Sequence, residues 1–177
     1  DAASNEFRRR MNAVGTALAE SRVAAVYLIH GRLDVEGEDF TDRFARWFES
    51  SLHRVGQPWA PVRLFHWSGE PHSLGRADGA VRLLDELASL DLFAGQRVLL
   101  WGHDDAANVL ALAARLLAGD AADADRFFRA ATVYYRWPLL GFVDIPVWER
   151  VRARLHSGPL LEGVFLDVVT FGEPARY

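Results

Sequence analysis

The residues best placed to do chemistry lie between Arg97 and Leu110. Arg97-Val98-Leu99-Leu100-Trp101 reads as an apolar strand, Gly102-His103-Asp104-Asp105 as a sharp turn, and Ala106 onward as a helix. A turn of this kind presents one side chain at the carboxyl end of a strand, where ligands bind in open α/β sheets. Backbone N–H groups at the start of the helix can hold a developing negative charge. In the G-x-S-x-G elbow, small residues let the strained turn pack closely while a nucleophile projects outward. Laid on that pattern, Gly102 stands at the first glycine, Asp104 at the serine and Ala106 at the second glycine. Asp104 or Asp105 could equally cap the helix, since a carboxylate at a helix start accepts orphan N–H bonds. Both readings stand at this point.

These residues need a framework to position them. Short β-rich runs alternate with amphipathic ones: Ala25 to Ile29 then Phe40 to Leu52, Val62 to Trp67 then Leu74 to Leu90, Val98 to Trp101 then Ala106 to Leu117. This alternation predicts an α/β fold, a mostly parallel sheet flanked by helices, with a final strand over Gly163 to Phe171. The region 119–158 breaks the rhythm. A helix over Asp123 to Tyr135 leads into an aromatic stretch interrupted by Pro138 and Pro146, which argues against one long helix and for a helical, aromatic cap insertion. Tyr135, Trp137, Phe142 and Trp148 are its candidate pocket-lining residues, with core packing or a subunit interface as the competing role. Chain length fits a single domain spanning residues 1–177.

Composition removes several classes of function. With 20 basic residues, all arginine, against 24 acidic ones, the chain carries a net charge of -4 and no basic block, so a nucleic-acid surface is not expected. Arg8 to Arg10 read as the solvated side of an amphipathic helix. The absence of cysteine excludes disulfides, thiolate zinc sites and a cysteine nucleophile. No apolar run approaches the roughly 20 residues needed to span a bilayer, so no transmembrane segment is expected. Asp104 and Asp105 have no accompanying metal-ligand spacing, and phosphate-binding glycine motifs are missing, so neither a metal nor a cofactor is expected.

Four stretches together carry a family resemblance. Val26-Tyr27-Leu28-Ile29-His30-Gly31, Phe65-His66-Trp67-Ser68-Gly69, the Gly102 to Ala106 elbow and Asp167 to Pro174 resemble, in order, the strand-and-turn motifs of the α/β-hydrolase superfamily in its bacterial lipase- and esterase-like branch. The resemblance covers about Val23 to Tyr177. It implies an α/β-hydrolase-like fold, Asp104 at the nucleophile position, and an oxyanion hole formed by N–H groups of Arg32 or Leu33 and of Asp105. His30, Gly31, Gly102, His103 and Ala106 belong to the supporting motifs. The substrate it implies is an apolar ester or lipid-like small molecule.

The chain departs from that pattern at Arg32, Asp104, Ala106 and Glu173. The resemblance also places the catalytic acid and the base histidine after later strands, so the expectation is that those strands, and a complementary C-terminal segment carrying both groups, would follow Tyr177. None of His30, His53, His66, His72, His103 and His156 occupies the base position. An aspartate also lacks a hydroxyl to deprotonate and would repel an oxyanion, so weak or absent ester hydrolysis is expected. Two alternatives accompany this reading. One is a non-catalytic binding or assembly module, with homo-oligomers among its partners. The other is an aspartate-nucleophile hydrolase, because epoxide hydrolases and haloalkane dehalogenases resemble this chain in carrying Gly-His-Asp at the elbow.

Overall fold

A computed structural model describes residues 2–31, 41–54, 56, 61–135 and 145–172. Four strands, β1 (Val23–Ile29), β2 (Val62–Phe65), β3 (Arg97–His103) and β4 (Phe165–Phe171), form one sheet in the order β2-β1-β3-β4. Every pairing is parallel, with Val26 opposite Val62, Tyr27 opposite Leu100 and Leu100 opposite Val168. The helices are α1 (Ala2–Glu20), α2 (Thr41–Arg54), α3 (Ser73–Ala88), α4 (Ala106–Ala118), α5 (Ala121–Tyr135) and α6 (Ile145–Ser157). The expected α/β architecture is present, and the expected cap region contributes two helices, α5 and α6. Residues 136–144 between them lie outside the described residues.

A parallel sheet buries both faces, so its central strands can be apolar throughout. β1 is such a strand: Val23-Ala24-Ala25-Val26-Tyr27-Leu28-Ile29 has almost no exposed surface. Side chains alternate across the sheet. Ala25, Tyr27 and Ile29 join Val98 and Leu100 beneath α3, α4, α5 and α6. Val26 and Leu28 face the other way, with Met11 and Leu18 of α1 and Ala45, Phe48 and Leu52 of α2.

α3 is the central helix of the larger layer, and Val81, Leu83, Leu84 and Leu87 are fully buried. It also carries the buried Asp78, which accepts from Arg82 Nε at 2.6 Å and from Trp148 Nε1 at 2.7 Å. A buried carboxylate persists only where its oxygens are satisfied. Here the partners belong to α3 itself and to α6, so the pairing fixes α6 on α3. Trp148 stacks on Phe127, with ring centroids 5.9 Å apart, and meets Phe128 edge-on at 5.6 Å. Trp148 is therefore a core residue, the second of the two roles open to it in the sequence.

At the rim of the same contact, Arg150 grips both oxygens of Asp85, at 2.7 and 2.6 Å, and Arg154 reaches it at 3.3 Å. The hydrogen bonds from Arg150 hold the Asp85 carboxyl below its ordinary range, against the opposing effect of partial burial. A depressed carboxylate contributes stability above its unfolded pKa and loses it as pH falls through the folded value. Asp85→Asn is expected to cost about 1 kcal/mol at neutral pH, the scale of a partly exposed ion-pair network. Urea-unfolding midpoints of the two proteins should converge as pH is taken from neutral downward past 3.8.

Candidate functional site

The strand order reverses between β1 and β3. The chain passes from β1 out to β2, crosses back over β1 to β3, then continues outward to β4. At such a switch point the loops leaving adjacent strands diverge and open a crevice at the carboxyl ends. The residues there are His30 and Gly31 after β1, and His103, Asp104 and Asp105 at the end of β3.

Asp104 adopts a left-handed backbone, φ +50°. Non-glycine residues seldom do so, aspartate being among the most tolerant, and such turns persist where their surroundings fix them. The Asp104 N–H donates to the Phe171 carbonyl at 2.8 Å, and the Asp104 carbonyl accepts from the Ala107 N–H at 3.1 Å. The Asp105 carbonyl then accepts from the Asn108 N–H at 3.0 Å. The turn is thus tied to β4 on one side and to the first turn of α4 on the other.

Three close backbone approaches shape the elbow. A Cβ on Gly102 would lie 2.8 Å from Leu110 Cδ1 and 3.2 Å from Ala106 Cβ, so α4 descends directly onto β3. One on Gly31 would lie 2.9 Å from Asp104 Cβ and 3.2 Å from His103 Nδ1. Gly172, at φ +100°, would bring a Cβ to 3.3 Å from the Asp104 nitrogen. The ends of β1, β3 and β4 therefore converge on Asp104. The sequence singled out Gly31 and Gly102, whereas the role of Gly172 depends on β4 lying beside β3.

Asp105 behaves differently from its neighbour. It stands at the N-cap of α4, yet its side chain makes no capping hydrogen bond. Its buried carboxylate instead accepts from Arg76 Nε at 2.9 Å and from Asn108 Nδ2 at 2.6 Å. Capping by Asp105, one of the expectations from sequence, is thus replaced by a bridge from the elbow to α3. Arg76 and Asn108 are site residues that sequence reasoning missed, because Arg76 is 29 positions away and only the packing of α3 on α4 brings it near. The N–H groups of Asp105 and Ala106 find no acceptor among the described residues.

His30 is held in a structural role. Its Nε2 accepts from the Trp67 backbone N–H at 3.1 Å, so Nδ1 carries the hydrogen and donates to the Gly31 carbonyl at 2.8 Å. The Trp67 indole donates to the His30 carbonyl at 2.8 Å, and the two rings stack. His72 Nδ1 accepts from the Gly75 N–H and caps α3, while His156 Nδ1 bonds the Arg152 carbonyl on α6. Each of these three histidines has a ring nitrogen committed away from Asp104.

A cavity of about 640 Å³ lies between α3, α4 and α5, and none of residues 102–106 lines it. Leu74, Ala77, Leu112 and Phe127 give it an apolar floor, and Arg76 and Asn108, the partners of Asp105, stand at one end. Phe127 is its aromatic wall, a residue the sequence did not single out. Arg32, Leu33, Trp137 and Phe142, and the side chain of Tyr135, lie outside the described residues. Among the described residues no group of three or more His, Cys, Asp or Glu side chains could hold a metal ion, and no helix is long and apolar enough to cross a membrane.

Comparison with protein-family models, curated proteins and solved structures finds no match to this chain.

The close approaches at the elbow make a direct prediction. Gly31→Ala and Gly102→Ala should each destabilise the protein by about 1–3 kcal/mol, the usual cost of overpacking. Gly31→Ala should show it more sharply in a denaturant titration, because its added methyl meets Asp104 Cβ and the His103 carbonyl, whereas at Gly102 the nearest atom is the mobile end of Leu110.

Proposed function

We propose that this chain is a lipase- or esterase-like framework of the α/β-hydrolase class, with Asp104 at the nucleophile position and little or no ester hydrolysis in its present form. The observation that carries the reading is the left-handed strand-to-helix turn at Asp104, at the switch point of a parallel sheet. A nucleophile elbow needs that backbone, and a helix cap does not. The N–H groups of Asp105 and Ala106 at the start of α4, which find no acceptor among the described residues, fit one half of an oxyanion hole. The largely apolar cavity between α3, α4 and α5, linked to Asp105 through Arg76 and Asn108, suits the acyl or alkyl part of an ester.

The same geometry argues against serine-type turnover. A carboxylate at residue 104 has no proton to surrender, and its charge opposes the oxyanion those N–H groups would stabilise. His30, the histidine on the neighbouring strand end, is committed to Trp67 and Gly31 and does not serve as a base.

Hydrolysis of short p-nitrophenyl esters tests this reading. The unmodified chain and Asp104→Ala should both stay at background, and the double variant Asp104→Ser, Ala106→Gly should exceed them by about tenfold or more. That gain is below the 10²–10³ contributed by a single oxyanion donor in a complete site. A double variant at background would overturn the hydrolase framework. Robust turnover by the unmodified chain, lost in Asp104→Ala, would overturn the expected inactivity.

A further inference from the structure

The cavity of about 640 Å³ has a helical stripe on each side. On α4, Asn108, Ala111, Leu112 and Arg115 line it at the i, i+3, i+4, i+7 spacing of one helix face. Ala77 of α3 and Phe127 and Ala131 of α5 stand across from them. The space exists because α5 packs on α6 rather than closely on α4. Phe127 and Phe128 both meet Trp148 of α6, and Arg152 of α6 reaches Asp125 of α5 at 2.6 Å. Phe127 is therefore a fixed wall, and the alanines around it leave the middle of the cavity unfilled. An apolar void of this kind stays dry and takes an apolar occupant.

The two ends of the cavity differ in charge. At the α3 end Arg76 is neutralised by the buried Asp105, to which its Nε donates at 2.9 Å. At the other end Arg115 forms no ion pair among the described residues. Asp123 on α5 feels the Arg115 charge, but its carboxylate is bound by Arg126 and by the Asp120 N–H. No acidic side chain is among the described residues that line the cavity. One unmatched positive charge thus stands at the end of an apolar slot. Two helical turns separate Asn108 from Arg115, so the slot runs about 10 Å along α4.

We propose that this cavity is a binding site for a free medium-chain carboxylate, with its alkyl tail between α4 and α5 and its head at Arg115. The tail runs towards Asn108 over Leu112 and against the Phe127 ring. A guanidinium presents a two-pronged fork that matches a carboxylate, and one arginine supplies the one charge that such a head requires. Arg115 is exposed, so the head keeps part of its hydration while the tail is enclosed. The site shares with the reading above only the apolar chain in the cavity and requires no chemistry at Asp104.

Isothermal titration calorimetry of the unmodified chain with octanoate, 1-octanol and acetate tests the proposal. Octanoate should bind one per chain, 1-octanol about fivefold more weakly, the scale of an exposed charge pair, and acetate not measurably. Arg115→Gln should lower octanoate affinity to that of 1-octanol and leave 1-octanol unchanged. Ala111→Phe, which fills the middle of the cavity, should abolish binding of both. Circular dichroism with thermal unfolding checks that the variants fold, and Arg115→Gln decides the matter by itself where Ala111→Phe does not. No saturable octanoate binding, equal affinities for octanoate and 1-octanol, no effect of Arg115→Gln, or binding that survives Ala111→Phe in a folded protein would each overturn the site. The Asp104→Ser, Ala106→Gly protein should bind octanoate as the unmodified chain does, so this result is read separately from ester turnover.

Discussion

α4 must begin where β3 ends, and the two elements must touch as they do so. This requires a residue without a side chain at Gly102, a small one at Ala106, and a left-handed turn at Asp104 between them. Once α4 is laid down in this way, α3 packs beside it and Arg76 comes within reach of Asp105. The end of β1 then closes on the turn, and its approach is limited by Gly31 against the Asp104 side chain. β4 completes the arrangement by accepting the Asp104 N–H. The convergence of strand ends on Asp104 thus follows from one steric condition at the end of one strand.

The layer of helices over the sheet combines two kinds of force. Apolar burial does most of the packing, with α3 nearly enclosed. Specificity of placement comes from a few polar contacts: Asp78 with Trp148 and Arg82 within the layer, and Asp85 with Arg150 and Arg154 at its rim. A buried carboxylate contributes little net stability compared with a well-packed apolar group, but it is costly to leave unpaired. Asp78 therefore discriminates between positions of α6 more than it adds to the stability of any one of them.

The two edges of the sheet differ in character. β2 is short and charged, so it offers little to a partner strand. β4 is longer, apolar and electrically neutral once Arg97 has bound Asp167. The Arg97 guanidinium also lies over the Phe165 ring, 4.8 Å from its centroid. One arginine of β3 thus both neutralises β4 and orders its first aromatic residue.

The sequence by itself determined the element types, because the period of the apolar pattern switches between strand and helix and because a strand–Gly–turn–helix run has few other readings. It was the motif resemblance, and not periodicity, that grouped His30, Gly31, Gly102 and Asp104, which the fold brings together at the ends of β1 and β3. It left Trp148 between core and pocket, because an aromatic residue in an amphipathic helix suits either, and only Asp78 and Phe127 placed it in the core. It missed Arg76, Asn108, Phe127 and the role of Gly172, and it left helix capping open to Asp105. Those depend on which helix lies beside which and on the strand order β2-β1-β3-β4. Periodicity reports which face of an element is buried, but not the neighbour it is buried against, and contacts between residues distant in sequence are fixed only when the layers pack.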